Sequence, residues 1–330
     1  MARPAGPFAR ASGDQAAADL VQRAVHVTLI AVYAVLSASI VRRAVVDDWF
    51  GRDARIYLHG AAAWLAGLDP WDASTVAPSG QLYHFAGLPP TLLAYAPLTV
   101  LPEWLGVGAI LAIGAISAGY VLHRLRLPAW WLLFPPIVEC LISGNPSLPI
   151  LALLVSAAWP IRALAPVLKV YALAPLVGER DWRPAALASG WLAVTGILLF
   201  PLWTAYIAGF GAISGRLSAE AGGGFSGARD PLLFIAGAIG LACLAAIRDW
   251  RAIGWLIVPA LWPATQFHYS TLALPVMHPI LAVGLAFPIN GLPPLTIATY
   301  GVWRLVRRQA ARLSEGPSPG GSERVPEPEG

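Results

Sequence analysis

Residues 45–95 read VVDDWFGRDARIYLHGAAAWLAGLDPWDASTVAPSGQLYHFAGLPPTLLAY. Five acids (Asp47, Asp48, Asp53, Asp69 and Asp72), two histidines and several aromatics stand here between two apolar segments. In a chain that is 57% hydrophobic and 12% charged, so polar a stretch calls for a reason. Its pattern reads as a loop at a membrane surface that carries the chemistry.

The surrounding chain sets that context. Its 330 residues have a mean hydropathy of +0.63, and its charged fraction is about half the 25% or so of soluble domains. This is the composition of an integral membrane protein. Apolar runs follow one another almost end to end, so the expected spanning element is the helix. A barrel instead shows alternating segments of about ten residues. The fold class expected is therefore all-α and polytopic. The net charge of +4 comes almost wholly from arginine, grouped in short gaps between apolar runs. That is a topology signal and not a nucleic-acid footprint. Cys140 and Cys243 both lie inside apolar runs, which argues against a disulfide framework and against a zinc-type spacing.

Taken outward, the run at 25–46 is long enough to span and reads as an uncleaved anchor behind a cytoplasmic tail, residues 1–22. Between Asp53 and Leu68 the order is helical and amphipathic. Arg52, Arg55 and His59 share one face, and Tyr57, Ala61, Trp64 and Leu68 another, as expected of a helix lying in the interface. Further apolar segments fall at about 88–101, 104–122, 129–142, 147–160, 163–178, 184–204, 231–247, 252–267, 270–289 and 291–304. Arginine-rich flanks put both termini on the cytoplasmic side, which requires an even number of spans, so the expectation is ten to twelve. Within one transmembrane domain, 23–304, residues 47–87 form a first external loop and 205–231 a second. The second contains Gly222-Gly223-Gly224, which suits a mobile lid or a plain connection. Residues 305–330 are a basic, then disordered, cytoplasmic tail, and no internal repeat stands out.

Several residues are placed for chemistry. Asp53 opens the interfacial helix, where the dipole and the flanking Arg52 and Arg55 favour an ionised carboxylate able to accept a proton; a pure helix-start role is the plainer alternative. Lys169, the sole lysine, lies in an apolar run, where an ionisable group is costly and functional by default unless it snorkels. Glu139 is the one acid within an apolar run, able to pair with a basic group or to mark a segment end. His268 closes a span on the side of Asp53, where imidazole can bind phosphate or assist proton transfer. Asp47 and Asp48 either support that site or simply keep the loop solvated. There is no P-loop, dinucleotide-type glycine fingerprint or zinc-protease helix, and no ligand spacing that calls for a metal.

Taken in order, these pieces resemble the polytopic GT-C glycosyltransferases, and most closely glycosyltransferase family 87, the polyprenyl-phosphate-mannose-dependent mannosyltransferases. The matching string runs from Asp53-Ala54-Arg55-Ile56-Tyr57 through Gly67-Leu68-Asp69-Pro70-Trp71 to Leu82-Tyr83-His84-Phe85 and Pro89-Pro90. Gly144-Asn145 resembles a Gly-Gln element, Leu168-Lys169 with Pro175 a lysine-containing helix, and Pro263 to His268 a late Pro-to-His stretch. The resemblance implies a GT-C-like bundle in the cell membrane whose active site faces outward. It implies inverting transfer of a sugar, mannose in the family, from a lipid-linked donor to a hydroxyl of a glycolipid or glycan, without cofactor or metal. In that reading Asp53 is the base and His268, Lys169 and Arg55 meet the donor phosphate. Tyr57, His84, Asn145 and Glu139 are supporting positions. The rival expectation is a transporter or flippase built on a Glu139–Lys169 pair inside the membrane.

Overall fold

The structure, a computed structural model, describes residues 7–76, 80, 82–220, 230–262, 266–289 and 291–314. The triglycine at 222–224, Pro263 and the acidic tail from 315 lie outside the described residues. Apart from one two-stranded ribbon, the regular structure described is helical.

The first helix, α1 (Pro7–Val46), begins well before the apolar run and takes in residues 7–22. It leads to α2 (Arg52–Leu65), then to strands β1 (Ser74–Val76) and β2 (Leu82–His84), which pair antiparallel with Thr75 opposite Tyr83. That ribbon is absent from the sequence reading, since three-residue strands carry too little alternation to register. Next come α3 (Pro89–Tyr95), α4 (Glu103–Leu125), α5 (Pro135–Ser143), α6 (Ser147–Leu154), α7 (Trp159–Arg162), α8 (Leu164–Leu168) and α9 (Leu173–Gly178). The chain continues through α10 (Trp182–Leu198), α11 (Phe200–Glu220), α12 (Pro231–Ala246) and α13 (Trp250–Leu261). A 3-10 helix, Phe267–Val276, precedes α14 (Pro279–Gly284) and α15 (Leu292–Ser314).

Among the described residues two helical stretches, Arg23–Val46 and α4, are long and apolar enough to cross a membrane, and up to four if each of two bent pairs counts as one span. The pairs are α5 with α6, bent by 116°, and α10 with Phe200–Leu217, bent by 102°. The other apolar runs are cut short, and proline is the reason: Pro160, Pro166 and Pro175 lie within or at the head of α7, α8 and α9. Each removes a backbone N–H and crowds the preceding turn. The second loop is also shorter than expected, because α11 runs on to Glu220. Tyr206, Phe210, Ile213 and Leu217 recur at helical spacing there, a period that a glance at polarity overlooks.

Close approach of small residues assembles the bundle, as is usual where hydrocarbon tails compete with apolar side chains. A Cβ on Gly301 of α15 would lie 2.2 Å from the Gly240 carbonyl of α12, and one on Gly178 of α9 would lie 2.7 Å from the Gly254 Cα of α13. Leu148, Leu151, Trp255, Leu272 and Leu281 fill the core between them.

The same device positions α2. Gly51 (φ +68°) donates its N–H to the Ile142 carbonyl at 2.8 Å, and Gly144 (φ +73°) sits so close that a Cβ there would lie 2.7 Å from Ala54 Cβ. The start of α2 is thus pressed into the α5–α6 bend. Its buried face is Asp53, Ala54, Tyr57, Leu58 and Ala61, with Ala54 and Leu58 packed on Val107 and Ile110 of α4. Leu68, expected on that face, is exposed, because the helix ends at Leu65 and the chain turns through Gly67 (φ +74°).

Candidate functional site

Asp53 is the first acid of α2 and is buried to 7% exposure. Its carboxylate accepts from Arg52 Nε at 3.1 Å and from Asn145 Nδ2 at 2.7 Å. Asn145 sits in the bend between α5 and α6, and its own orientation is set by Ser147. The backbone N–H and hydroxyl of Ser147 donate to Asn145 Oδ1 at 3.0 and 2.7 Å. With its oxygen so occupied, the amide has only its NH2 to turn toward Asp53.

A cavity of about 70 Å³ opens beside this pair. Asp53, Asn145, Lys169, His268, Tyr57 and His84 all line it, together with Arg52, Tyr83, Tyr171 and Tyr269. Residues far apart in sequence thus meet as one site. Tyr57 stacks on Tyr95 at 4.7 Å and meets Lys169 Nζ 5.3 Å from its ring centre. His268, 2% exposed, packs edge-on against Tyr269, and its carbonyl accepts from Thr271. A second cavity of about 90 Å³ adjoins the first through Lys169, Tyr171 and Tyr269, and Leu88, Phe210, Ile213 and Trp262 make its remaining wall largely apolar. One compartment is polar and charged; its neighbour is greasy.

Electrostatics sets the two central protonation states. Burial opposes charge on Asp53, but Arg52 beside it, then His268 and the Asn145 hydrogen bond, hold its carboxyl below the usual carboxylate range. Burial drives His268 the other way, down to about 4, with Asp53 opposing and Lys169 and Arg52 adding to the fall. At neutral pH the pair is therefore an ionised carboxylate facing a neutral imidazole. Asn145→Ala removes one of the groups that favour the charged carboxylate, so Asp53 is expected to take up its proton at higher pH in that variant. Carboxyl infrared titration of the purified protein reads this directly, and an unchanged titration would show that the amide does not tune the acid.

Other expected site residues lie elsewhere. Arg55 is turned away from the cavity onto Glu103 (3.0 Å) and the Phe50 carbonyl (2.7 Å), because on a helix it faces away from a residue two positions earlier. Arg52, the other arginine flanking Asp53, takes the inward place and stacks over the Tyr83 ring at 4.5 Å. Asp47 and Asp48 are exposed at the end of α1 and do not line the cavity. Asp69 closes a turn by accepting from Trp71 N at 2.9 Å, and Asp72 pairs with Arg216 at 3.1 Å. Glu139 does not pair with Lys169. Its charged surroundings are Arg52, Asp53 and Arg43, and its Oε2 is buried with no hydrogen-bond partner among the described residues. Among the described residues no group of three His, Cys, Asp or Glu is placed to hold a metal ion.

Comparison with protein-family models, curated proteins and solved structures returned no match to this chain.

Proposed function

We propose that the protein is an inverting membrane glycosyltransferase that moves a sugar, mannose in the family it resembles, from a polyprenyl-phosphate donor to a hydroxyl acceptor. The observation that carries this reading is the meeting of Asp53, His268 and Lys169 at one cavity. Each comes from a different one of the segments that resemble family 87.

The chemistry follows from those groups. Asp53, ionised, takes the proton of the acceptor hydroxyl as its oxygen attacks the anomeric carbon. A new glycosidic C–O bond forms on one face of the sugar while the C–O bond to the donor phosphate breaks on the other, and the configuration inverts. The phosphate departs with the bonding pair as a polyprenyl monophosphate. Lys169 supplies positive charge for that developing anion, and neutral His268 supplies a hydrogen-bond donor. Arg52 and Asn145 hold the base. The adjoining apolar cavity suits the first isoprenoid units of a donor whose chain stays in the bilayer. In this reading the protein is multi-pass, with ten to twelve membrane segments counting the short and bent ones, and its site opens to the outer face.

The test is transfer of labelled mannose into extractable lipid or polymer by membranes carrying the protein, with polyprenyl-phosphate mannose and a nucleotide mannose offered in separate reactions. Transfer is expected from the lipid-linked donor alone, and Lys169→Met is expected to reduce it about 10²-fold, the size of effect seen when one electrostatic contact to a developing charge is lost. Transfer from the nucleotide sugar alone would overturn the donor assignment. The rival reading, a transporter or flippase, predicts transfer from neither donor.

A further inference from the structure

Two short stretches, too brief to make an internal repeat of the chain, are alike. Residues 173–183 read LAPLVGERDWR and residues 241–251 read LACLAAIRDWR. Each contains a helix end, a turn and the start of the next helix, at α9–α10 and at α12–α13. The turns are built alike. Arg180 and Arg248 take left-handed backbone conformations, φ +57° and +61°. Asp181 N bonds to the Leu176 carbonyl at 2.9 Å, as Asp249 N does to that of Leu244. Glycine is the residue at home in this conformation, and arginine is disfavoured there. That both turns carry arginine points to a use for the side chain.

The acids of the turns are already engaged. Asp181 pairs with Arg162 at 2.5 Å; Glu179 accepts from Arg162, from Trp255 Nε1 at 2.9 Å and from Arg251; Asp249 pairs with Arg304 at 2.8 Å. The side chains of Arg180, Arg183 and Arg248 form no ion pair or hydrogen bond among the described residues and are exposed. Packing of α9 on α13 brings the two turns together, so that Arg180, Arg248 and Arg251 rim one shallow open pocket. Beside it stand Trp182 and Trp250, 60% and 43% exposed, and exposed Val177. The 12 residues of α13 put this corner about 18 Å along the helix from its cavity end at Trp262.

We infer that this corner binds the phosphate headgroup of an anionic phospholipid in the leaflet away from the cavity. Uncompensated guanidiniums match a phosphate diester by charge and by paired N–H donors. Basic pockets between membrane helices on the cytoplasmic side bind such headgroups, and exposed tryptophans mark the interfacial depth at which headgroups lie. The tryptophans and Val177 favour a lipid over a free anion, because they offer the acyl chains a surface that inorganic phosphate does not need.

The test is thermal unfolding of the full chain in neutral detergent with added phosphatidylglycerol, phosphatidylcholine or inorganic phosphate at matched concentration. Phosphatidylglycerol is expected to raise the unfolding temperature of the native protein by several degrees and phosphatidylcholine to leave it unchanged. In the double variant Arg180→Gly, Arg248→Gly the lipid-free unfolding temperature is expected to hold or rise, since glycine relieves both turns, while most of the phosphatidylglycerol shift is lost. Arg180→Gln with Arg248→Gln, which keeps a polar side chain at both turns and removes only the charge and the guanidinium, is expected to lose the shift in the same way. An equal shift in both double variants, a phosphatidylcholine effect as large, or no shift in the native protein overturns the inference. Inorganic phosphate reproducing the shift overturns the lipid in favour of a free-anion site.

Discussion

Asp53→Asn is expected to lower sugar transfer by about 10²–10⁴-fold, the usual range for loss of a general base, at unchanged expression. The substitution keeps the shape of the side chain, and its carbonyl can still accept from Asn145, but it has no basic site for the acceptor proton. Its new NH2 also faces Arg52, donor against donor. Arg52 keeps its place over Tyr83, 4.5 Å from the ring centre, so the fold is expected to persist. Thermal unfolding of the purified variant checks that point. A variant that folds and still transfers at the native rate would remove Asp53 from the mechanism.

Gly144→Ala is expected to be the most damaging single methyl at the site. The position needs φ +73°, which costs an L side chain about 1–2 kcal/mol. The new Cβ would also lie 2.7 Å from Ala54 Cβ, a contact that must open by backbone movement at a further cost of about 1–3 kcal/mol. Any opening pulls Asn145, the next residue, off Asp53, so transfer is expected to fall along with the unfolding temperature. Two comparisons isolate the cause. Gly67→Ala has the same sign of φ, +74°, but open space around it, so it is expected to show the backbone penalty alone. Adding Ala54→Gly to Gly144→Ala makes room at the contact and is expected to restore transfer in part, with a coupling of about 0.5–3 kcal/mol. No coupling would mean that the bend is not held by this contact.

Composition and hydropathy sufficed for the class of molecule. A chain so apolar, with so few charges, has to satisfy its backbone internally, and the described residues are accordingly helical with stretches able to cross a membrane. The polar stretch after α1 was legible too, because acids and aromatics there interrupt an apolar chain, and Asp53 could be singled out by its place at a helix start. Lys169 was legible as a costly residue in an apolar run, and His268 as an imidazole closing a span. What linear order does not contain is which of these share a space. Arg52 and Arg55 look equivalent in sequence, yet only helix phase, fixed by Gly51 and Gly144 pressing α2 into the α5–α6 bend, turns Arg52 inward and leaves Arg55 on Glu103. The number of spans is hard to read from the sequence for a related reason. Hydropathy measures how apolar a run is, whereas proline and the packing of its neighbours set whether that run crosses straight, bends back or breaks into short helices. The site lives at such a bend, where Asn145 reaches Asp53 across a distance of 92 residues in the chain, and long-range closure of that kind is a property of the packed structure alone.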